Sequence, residues 1–190
     1  MSSLTLPPRT GAVAGLVGGG IIFCLGLPAA FAPGIVGDAW LATSAVAAFI
    51  LVVALLGLRT STSAVPGCRT ALAIAAAGMA LFGLAHLYSL TGDERAFVAF
   101  SIFMVTSSLS TAVAGVLLIR ARLWIGAMRF VPLLCGVWPI ATIPAGAAAG
   151  DLQHFLAIAG WGLCWIGLGA ALRMEAGRHS KPAPVTSASV

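Results

Sequence analysis

Ionisable side chains within the apolar stretches of this chain would be the first sign of chemistry, because each is costly to bury unpaired in lipid. No Asp, Glu or Lys lies within any long apolar stretch. This pattern argues against a proton relay, an ion-coupled carrier and an acid–base active site, and we predict no catalytic residue. His86, in the segment GLAHLYSL, is the exception. As a candidate ligand-binding residue, it can hydrogen-bond to another helix or respond to pH, whereas packing beside an interfacial Tyr88 is the more ordinary interpretation.

Hydroxyl side chains near the middle of another apolar stretch are further candidates for ligand binding. The segment TSSLST ends at Thr111, and helical spacing places Ser101, Ser108 and Thr111 near one face. Such a face can line a narrow polar path for a solute. The hydroxyls can equally bond back to carbonyls one turn earlier or across to another helix, so packing is the favoured interpretation.

The stretch 130–172 is the least generic part of the chain. Pro139 and Pro144 each remove one helical hydrogen bond, and in lipid the freed carbonyls need a new donor. Trp138, beside the first of these prolines, and Trp161, in the next apolar stretch, are placed to wall a cavity. We predict a bent hairpin of two helices here, with Trp138 and Trp161 as ligand-binding candidates. A purely structural kink is the favoured alternative.

Metal and cofactor binding have little support. Asp38, Asp93, Glu94, Asp151 and His154 lie in or beside the short breaks between stretches, and together with His86 they are the side chains on which a cation-binding alternative would rest. Nothing in their spacing requires a cation, and none of the four cysteines lies in a CxxC pattern. The chain also lacks a phosphate loop, an HExxH or GxSxG motif, and a lysine suited to a retinal Schiff base. We therefore predict no metal and no cofactor.

Composition indicates which solvent surrounds the protein. Of its 190 residues, 60% are hydrophobic and only 8% are charged, and the mean hydropathy is +1.07. A soluble domain carries about a quarter charged residues. This chain has too little polar surface to cover itself in water, so we predict an integral membrane protein.

Six apolar stretches reach the roughly 20 residues that a helix needs to cross a bilayer. They are Gly11–Phe31, Ala39–Leu58, Ala71–Thr91, Phe97–Ile119, Phe130–Ala149 and Leu152–Leu172. The predicted fold class is an all-α bundle of six transmembrane helices forming one domain, residues 11–172. Polar tails occupy 1–10 and 173–190, and we expect the second to be disordered. A signal-peptide reading of the first stretch, with a cleavage site around Phe31, is disfavoured by its length.

Basic residues determine the expected orientation. If the chain crosses the membrane six times, nine of the ten basic residues fall on the same side: Arg9, Arg59, Arg69, Arg120, Arg122, Arg129, Arg173, Arg178 and Lys181. Only Arg95 lies on the other, acidic side. The positive-inside rule then gives an N-in/C-in protein of a bacterial-type cell membrane, with both termini cytoplasmic. The rule explains the net charge of +5 without a nucleic-acid partner. It also explains why basic residues recur at every second break between the apolar stretches. A repeat of three helical hairpins would produce the same pattern.

Arg129 decides where the fifth helix begins. An arginine at the bilayer centre costs about 2.5–3.5 kcal/mol, so we begin the helix at Phe130 and place Arg129 at the cytoplasmic edge. In that position Arg129 is a candidate for binding anionic lipid headgroups. The preceding segment RARLWIGAM becomes interfacial, with Trp124 at the level of the headgroups.

Small residues predict close helix packing. Gly11, Gly15 and Gly19 form a GxxxGxxxG series on one face of the first helix. Packing within the chain is favoured over contact with a membrane-protein partner or a homo-oligomer. The third helix offers a matching small face that includes Ala76 and Gly83.

Two classes of function fit these features. We favour a non-catalytic accessory protein, a scaffold, or a protein that binds lipids or a partner. The alternative is a small carrier or channel for a neutral or apolar solute. A cavity that reaches Ser108 and Trp138 would favour transport, whereas a solid apolar interior would favour the scaffold. An enzyme ranks third, because no nucleophile–base pair can be proposed.

Overall fold

The computed structural model of the protein describes residues 7–93, 95–124 and 126–179. Glu94, Lys181, residues 1–6 and the remainder of the C-terminal tail lie outside these described residues. The predictions that involve them therefore stay predictions.

Six long helices make up most of the described chain. They are α1 (Pro8–Phe31), α2 (Asp38–Ser61), α3 (Cys68–Ser89), α4 (Arg95–Ala121), α5 (Val131–Ala149) and α6 (Asp151–His179). Short 3₁₀ turns at Pro33–Ile35 and Gly126–Phe130 precede α2 and α5, and no strand occurs in the described ranges. Each helical segment is long and apolar enough to cross a membrane. This confirms the predicted all-α class with six candidate spans.

The last helix extends further than the apolar pattern predicts. α6 continues beyond Leu172 to His179, so the first part of the tail expected to be disordered is helical. Glu175 and Arg178 form a 3.4 Å ion pair across one turn of this extension. Hydropathy indicates where the apolar part of a helix ends, but not where its hydrogen bonding ends.

The helices form a closed ring. Each packs against the next along the chain, and α6 packs against α1. Glycines build this α1–α6 seam: a Cβ placed on Gly15 would lie 2.9 Å from the Gly169 Cα, and one on Gly26 would lie 2.6 Å from the Ala159 nitrogen. Because any side chain would clash, only glycine lets the two backbones approach this closely.

The glycine series of α1 packs within the chain, but not against the helix we expected. Gly15 and Gly19 face α6, while Gly11 lies against Gly57 of α2. The predicted pairing with α3 is wrong, since Gly83 of α3 lies against α2 instead. All three glycines of the series are buried in the bundle.

Charge distinguishes the two ends of the ring. The turns α1–α2, α3–α4 and α5–α6 carry or adjoin Asp38, Asp93 and Asp151, and we call this the acidic end. The opposite, basic end carries Arg59, Arg69, Arg120, Arg122, Arg129 and Arg173. The half of the bundle next to the basic end is filled by fully buried side chains, among them Leu51, Leu55, Leu58, Leu72, Leu118, Trp165, Leu168 and Leu172.

Candidate ligand-binding site

The half of the bundle next to the acidic end encloses a cavity of about 720 Å³. All six helices contribute to its wall, which includes Ile22, Leu25, Trp40, Ser44, Phe82, His86, Phe100, Ser101, Met104, Pro144, His154, Phe155 and Trp161. Small-ligand sites typically measure about 300–1,000 Å³ and are mostly apolar with a few polar groups. In size and lining this cavity resembles such a site.

Position along the helices defines the depth of the cavity. Met104 and Trp161 lie at its deep end, toward the filled half, and Gly92 and Asp93 lie at its mouth. Phe97 also lines the cavity and is 74% exposed. The cavity therefore reaches the outer surface of the bundle beside the beginning of α4, as well as the acidic end.

His86 is the most buried titratable group in the wall of this cavity. Its ring is only 2% exposed, and its Nδ1 lies 3.0 Å from the Phe82 carbonyl oxygen one turn earlier. A carbonyl oxygen can only accept, so this hydrogen bond requires the proton on Nδ1. The neutral imidazole then presents Nε2 as an acceptor.

Aromatic rings surround the imidazole of His86. The ring centroids of Phe82 and Phe100 lie 4.5 Å and 4.7 Å from it, both in edge-to-face geometry. The Trp40 ring of α2 lies 6.5 Å away. These contacts from three helices fix the position of the imidazole and surround it with apolar surface.

Trp161 forms part of the deep wall and also satisfies a kink in α5. Its Nε1 donates a 3.0 Å hydrogen bond to the carbonyl of Cys135, which is the carbonyl that loses its helical donor at Pro139. In return, Nε1 of Trp138 donates a 2.8 Å bond to the Ala157 carbonyl of α6. The two indoles thus link α5 and α6 reciprocally and leave the freed carbonyl satisfied.

Trp138 itself does not line the cavity. Its ring packs against Gly160 of α6, where any side chain would overlap it. The expected cavity beside Pro139 is therefore replaced by a tight helix–helix contact. The actual cavity borders α5 more than one turn further along, at Ile143 and Pro144.

Ser108 and Thr111 lie in the α4 packing surface and do not border the cavity. The Thr111 hydroxyl donates a 2.8 Å bond to the Ser107 carbonyl of its own helix. Ser108 is buried where α4 meets Gly136 of α5, and its hydroxyl has no partner in the described chain. Neither of these two hydroxyls therefore contributes to the wall of the cavity. Of the hydroxyls predicted on this face, Ser101 is the one that borders the cavity.

A hydrogen-bonded turn lies at the mouth of the cavity. The Tyr88 hydroxyl and the Arg95 backbone N–H both donate to the Asp93 carboxylate. These two bonds, the first above all, lower the pKa of Asp93 below its ordinary value. A negative charge therefore stays at the mouth throughout the neutral and mildly acidic range.

In the part of the chain that the structure describes, the acidic and histidine side chains lie apart from one another. His154 lines the cavity on α6, with its Nδ1 3.4 Å from the Ile143 carbonyl. Within residues 7–93, 95–124 and 126–179, no three His, Cys, Asp or Glu side chains lie together as ligands for a cation. Glu94, part of the cation alternative, lies outside the described residues.

Arg129 lies in the 3₁₀ turn that leads into α5. Its guanidinium carbon is 4.8 Å from the centroid of the Phe130 ring, a cation–π contact. Trp124, which we expected among the headgroups, is only 3% exposed and packs in the main core instead. Arg59 and Arg69 line a separate, shallower cleft at the same basic end.

Of the predicted ligand-binding residues, the structure brings His86 and Trp161 together in one cavity. The surrounding aromatic residues were not predicted. One signal was available, because Phe82 and His86 are one turn apart, as are Phe97 and Ser101. Such spacing also describes ordinary packing, so it does not by itself distinguish a cavity wall from a core.

Comparison with protein-family models, with curated proteins and with solved structures finds no match for this chain. The fold and the cavity are therefore the basis for any functional assignment.

Proposed function

We propose that this protein is a non-catalytic, multi-pass membrane protein that binds an apolar small molecule in the cavity at its acidic end. The observation that carries the proposal is the cavity itself, which is large, lined by aromatic and aliphatic side chains, and contains a deeply buried acceptor at His86. Membrane lipids or molecules dissolved in them are the natural source of such a ligand. The opening beside the exposed Phe97 provides a route of entry from lipid.

Binding is favoured over catalysis because Ser89 and His86 hydrogen-bond to backbone carbonyls and not to each other. Ser89 lies one turn after His86 and also lines the cavity, but its hydroxyl donates to the Ala85 carbonyl at 2.9 Å. His86 likewise directs Nδ1 to the Phe82 carbonyl. A nucleophile–base pair needs these two side chains to be hydrogen-bonded to each other, and here each is bonded to its own helix.

The proposed topology is N-in/C-in in a cell membrane, with the acidic end and the cavity mouth facing outward. The arginines collected at the basic end support this orientation through the positive-inside rule. Single cysteines introduced at Gly92 and Ser63 of a cysteine-free variant would be labelled in intact cells with an impermeant maleimide. Labelling at Gly92 alone is expected, and labelling at Ser63 alone would reverse the topology.

The binding proposal is tested by filling the cavity. Ala147 and Ala148 are both exposed on α5, but only Ala147 lines the cavity. We expect Ala147→Phe to abolish saturable binding of a fluorescent apolar probe such as methoxypyrene to the protein in nanodiscs, and Ala148→Phe to leave it unchanged. Equal binding by the two variants, with both folded, would contradict the proposal.

A carrier for the same class of molecule is the second candidate. It is favoured by one observation: the cavity opens at the acidic end and is closed by packed side chains at the other, as in one state of an alternating-access carrier. Pro144, in the cavity wall, is a point at which α5 can bend. Flux of the probe across proteoliposomes, lost in Ala147→Phe, would support transport; saturable binding without flux would limit the function to binding.

A further inference from the structure

Most polar groups around the cavity already have a partner in the protein. The hydroxyls of Ser89 and Ser101 donate to carbonyls of their own helices, at 2.9 Å and 3.0 Å. The indole of Trp161 donates to Cys135. The exceptions are the Ser44 hydroxyl, which makes no hydrogen bond in the described chain, and Nε2 of His86 and of His154, since only Nδ1 of each ring is bonded there. His86 is the most buried of these three residues, at 2% exposed against 9% for Ser44 and an intermediate exposure for His154.

An acceptor without a donor is costly in an apolar surrounding. The imidazole is 2% exposed and lies between aromatic rings, so it is shielded from bulk solvent except through the cavity. Leaving such a group unsatisfied costs free energy that a ligand with a suitable donor would recover. A ligand without a donor would bury Nε2 and lose that advantage.

We infer that His86 is the specificity-determining residue of the cavity, and that its ligand is a rigid, apolar, ring-containing molecule with one hydroxyl group that donates to Nε2. This inference rests on the proposed function. The ring system follows from the walls, since Trp40, Phe82, Phe100 and Trp161 offer flat or edge-on aromatic surface. A donor on the ligand follows from Nε2 of His86, the most deeply buried acceptor in the wall without a partner in the described chain.

Charge at the mouth restricts the ligand further. Asp93 lies in the lining and stays ionised at neutral pH because two donors stabilise its carboxylate. No arginine lines the described cavity to balance an anion. A neutral alcohol or phenol therefore fits better than a carboxylate, a sulfate or a phosphate.

A matched pair of probes tests the inference. Hydroxypyrene and methoxypyrene have the same ring system, but only the first has a hydroxyl donor. Binding in nanodiscs is followed by energy transfer from the tryptophans of the protein to pyrene, with empty nanodiscs as the reference for partition. We expect the wild-type protein to prefer hydroxypyrene by about three- to tenfold, the value of one hydrogen bond.

Variants then identify the acceptor. In His86→Phe the preference for the hydroxyl should disappear while methoxypyrene still binds, which also shows that the variant is folded. His86→Gln retains an acceptor oxygen and should restore part of the preference. Thr43→Ala is the control and should behave as wild type, since this hydroxyl is bonded to the Ala39 carbonyl and lies outside the cavity. Ser89→Ala tests the neighbouring cavity hydroxyl as an alternative acceptor.

The outcomes separate the inference from the proposed function. If both probes bind equally well to wild type, or if Ser89→Ala loses the preference and His86→Phe keeps it, the role assigned to His86 is wrong although the cavity binds ligands. If neither probe binds to wild type in a saturable manner, the proposed function itself fails.

Discussion

The two halves of this bundle are built from the same six helices, yet one is solid and the other is hollow. In the basic half, leucines from α2, α3, α4 and α6 meet in the centre and are completely buried. In the acidic half the central positions carry aromatic rings that meet edge to face around an open space. The two halves therefore differ in the side chains at their centre: aliphatic groups fill the basic half, whereas aromatic rings line the space in the acidic half.

The ring of helices remains closed around the hollow half because neighbouring helices contact each other directly, without side chains that fill the centre. At the α1–α6 seam, backbone meets backbone through glycines beside the cavity as well as beside the solid core. Close packing of this kind gains dispersion contacts that lipid cannot supply. The bundle can therefore hold its shape around a cavity without filling it.

The largest difference between the halves should appear when a large side chain is shortened. Leu168 is fully buried in the basic half, so we expect Leu168→Ala to lower the free energy of unfolding by about 2–5 kcal/mol, through lost contacts and a new cavity. Leu41 borders the existing cavity, and Leu41→Ala should cost clearly less. Unfolding in mixed micelles of increasing SDS content measures both. Equal losses would show that the acidic half is as tightly packed as the basic half.

The seam beside the cavity should tolerate no added side chain. A methyl group on Gly26 would lie 2.6 Å from the Ala159 nitrogen, whereas one on Gly20 of the same helix would meet no atom within 4 Å. We expect Gly26→Ala to destabilise the protein by about 1–3 kcal/mol through overpacking. Gly20→Ala should be neutral or slightly stabilising, since alanine favours the helix. The same SDS titration compares them, and a neutral Gly26→Ala would mean that the seam is loose around the cavity.

The effects of Trp161 and Pro139 on the free energy of unfolding should be coupled, because both residues act on the Cys135 carbonyl. In Trp161→Phe the Cys135 carbonyl loses its donor, which should cost about 1 kcal/mol of stability. With Pro139→Ala, residue 139 regains an N–H that can donate to the same carbonyl. The double variant should then lose less than the two single variants together. Additive losses would show that the indole does not compensate for the proline.

The helices could be predicted from sequence, whereas their arrangement in space could not. Hydropathy and segment length locate six helices because each is apolar over the length that a bilayer crossing needs. The closure of the ring, with α1 against α6, depends on matching small faces that several helices share. For that reason the glycine series of α1 predicts close packing, but it does not predict that the neighbours are α6 and α2.

The candidate site was predictable only where a residue is chemically unusual. His86 was identified because an ionisable group in an apolar helix is rare, and Trp161 because it follows a proline-bent segment. Ser108 and Trp138 have equally suitable chemistry, but rotation of their helices directs them into α4–α5 and α5–α6 contacts. Rotation depends on packing partners that are distant in sequence, and a single helical pattern does not contain that information.

The smallest predicted effect concerns the mouth, where the hollow half meets solvent. The Tyr88 hydroxyl is the main cause of the lowered pKa of Asp93, whose ordinary value is 3.8. A carboxyl with a lowered folded-state pKa stabilises the fold above its unfolded-state pKa. That contribution is lost as pH falls below about 3.8 and through the folded-state pKa. We expect Tyr88→Phe to raise the pKa of Asp93 and to change stability very little, because this turn is solvent-exposed. Carboxyl-carbon NMR of aspartate-labelled protein measures the pKa, with Asp38 and Asp151 as internal controls. An unchanged pKa for Asp93 would show that its charge does not depend on the tyrosine at the end of α3.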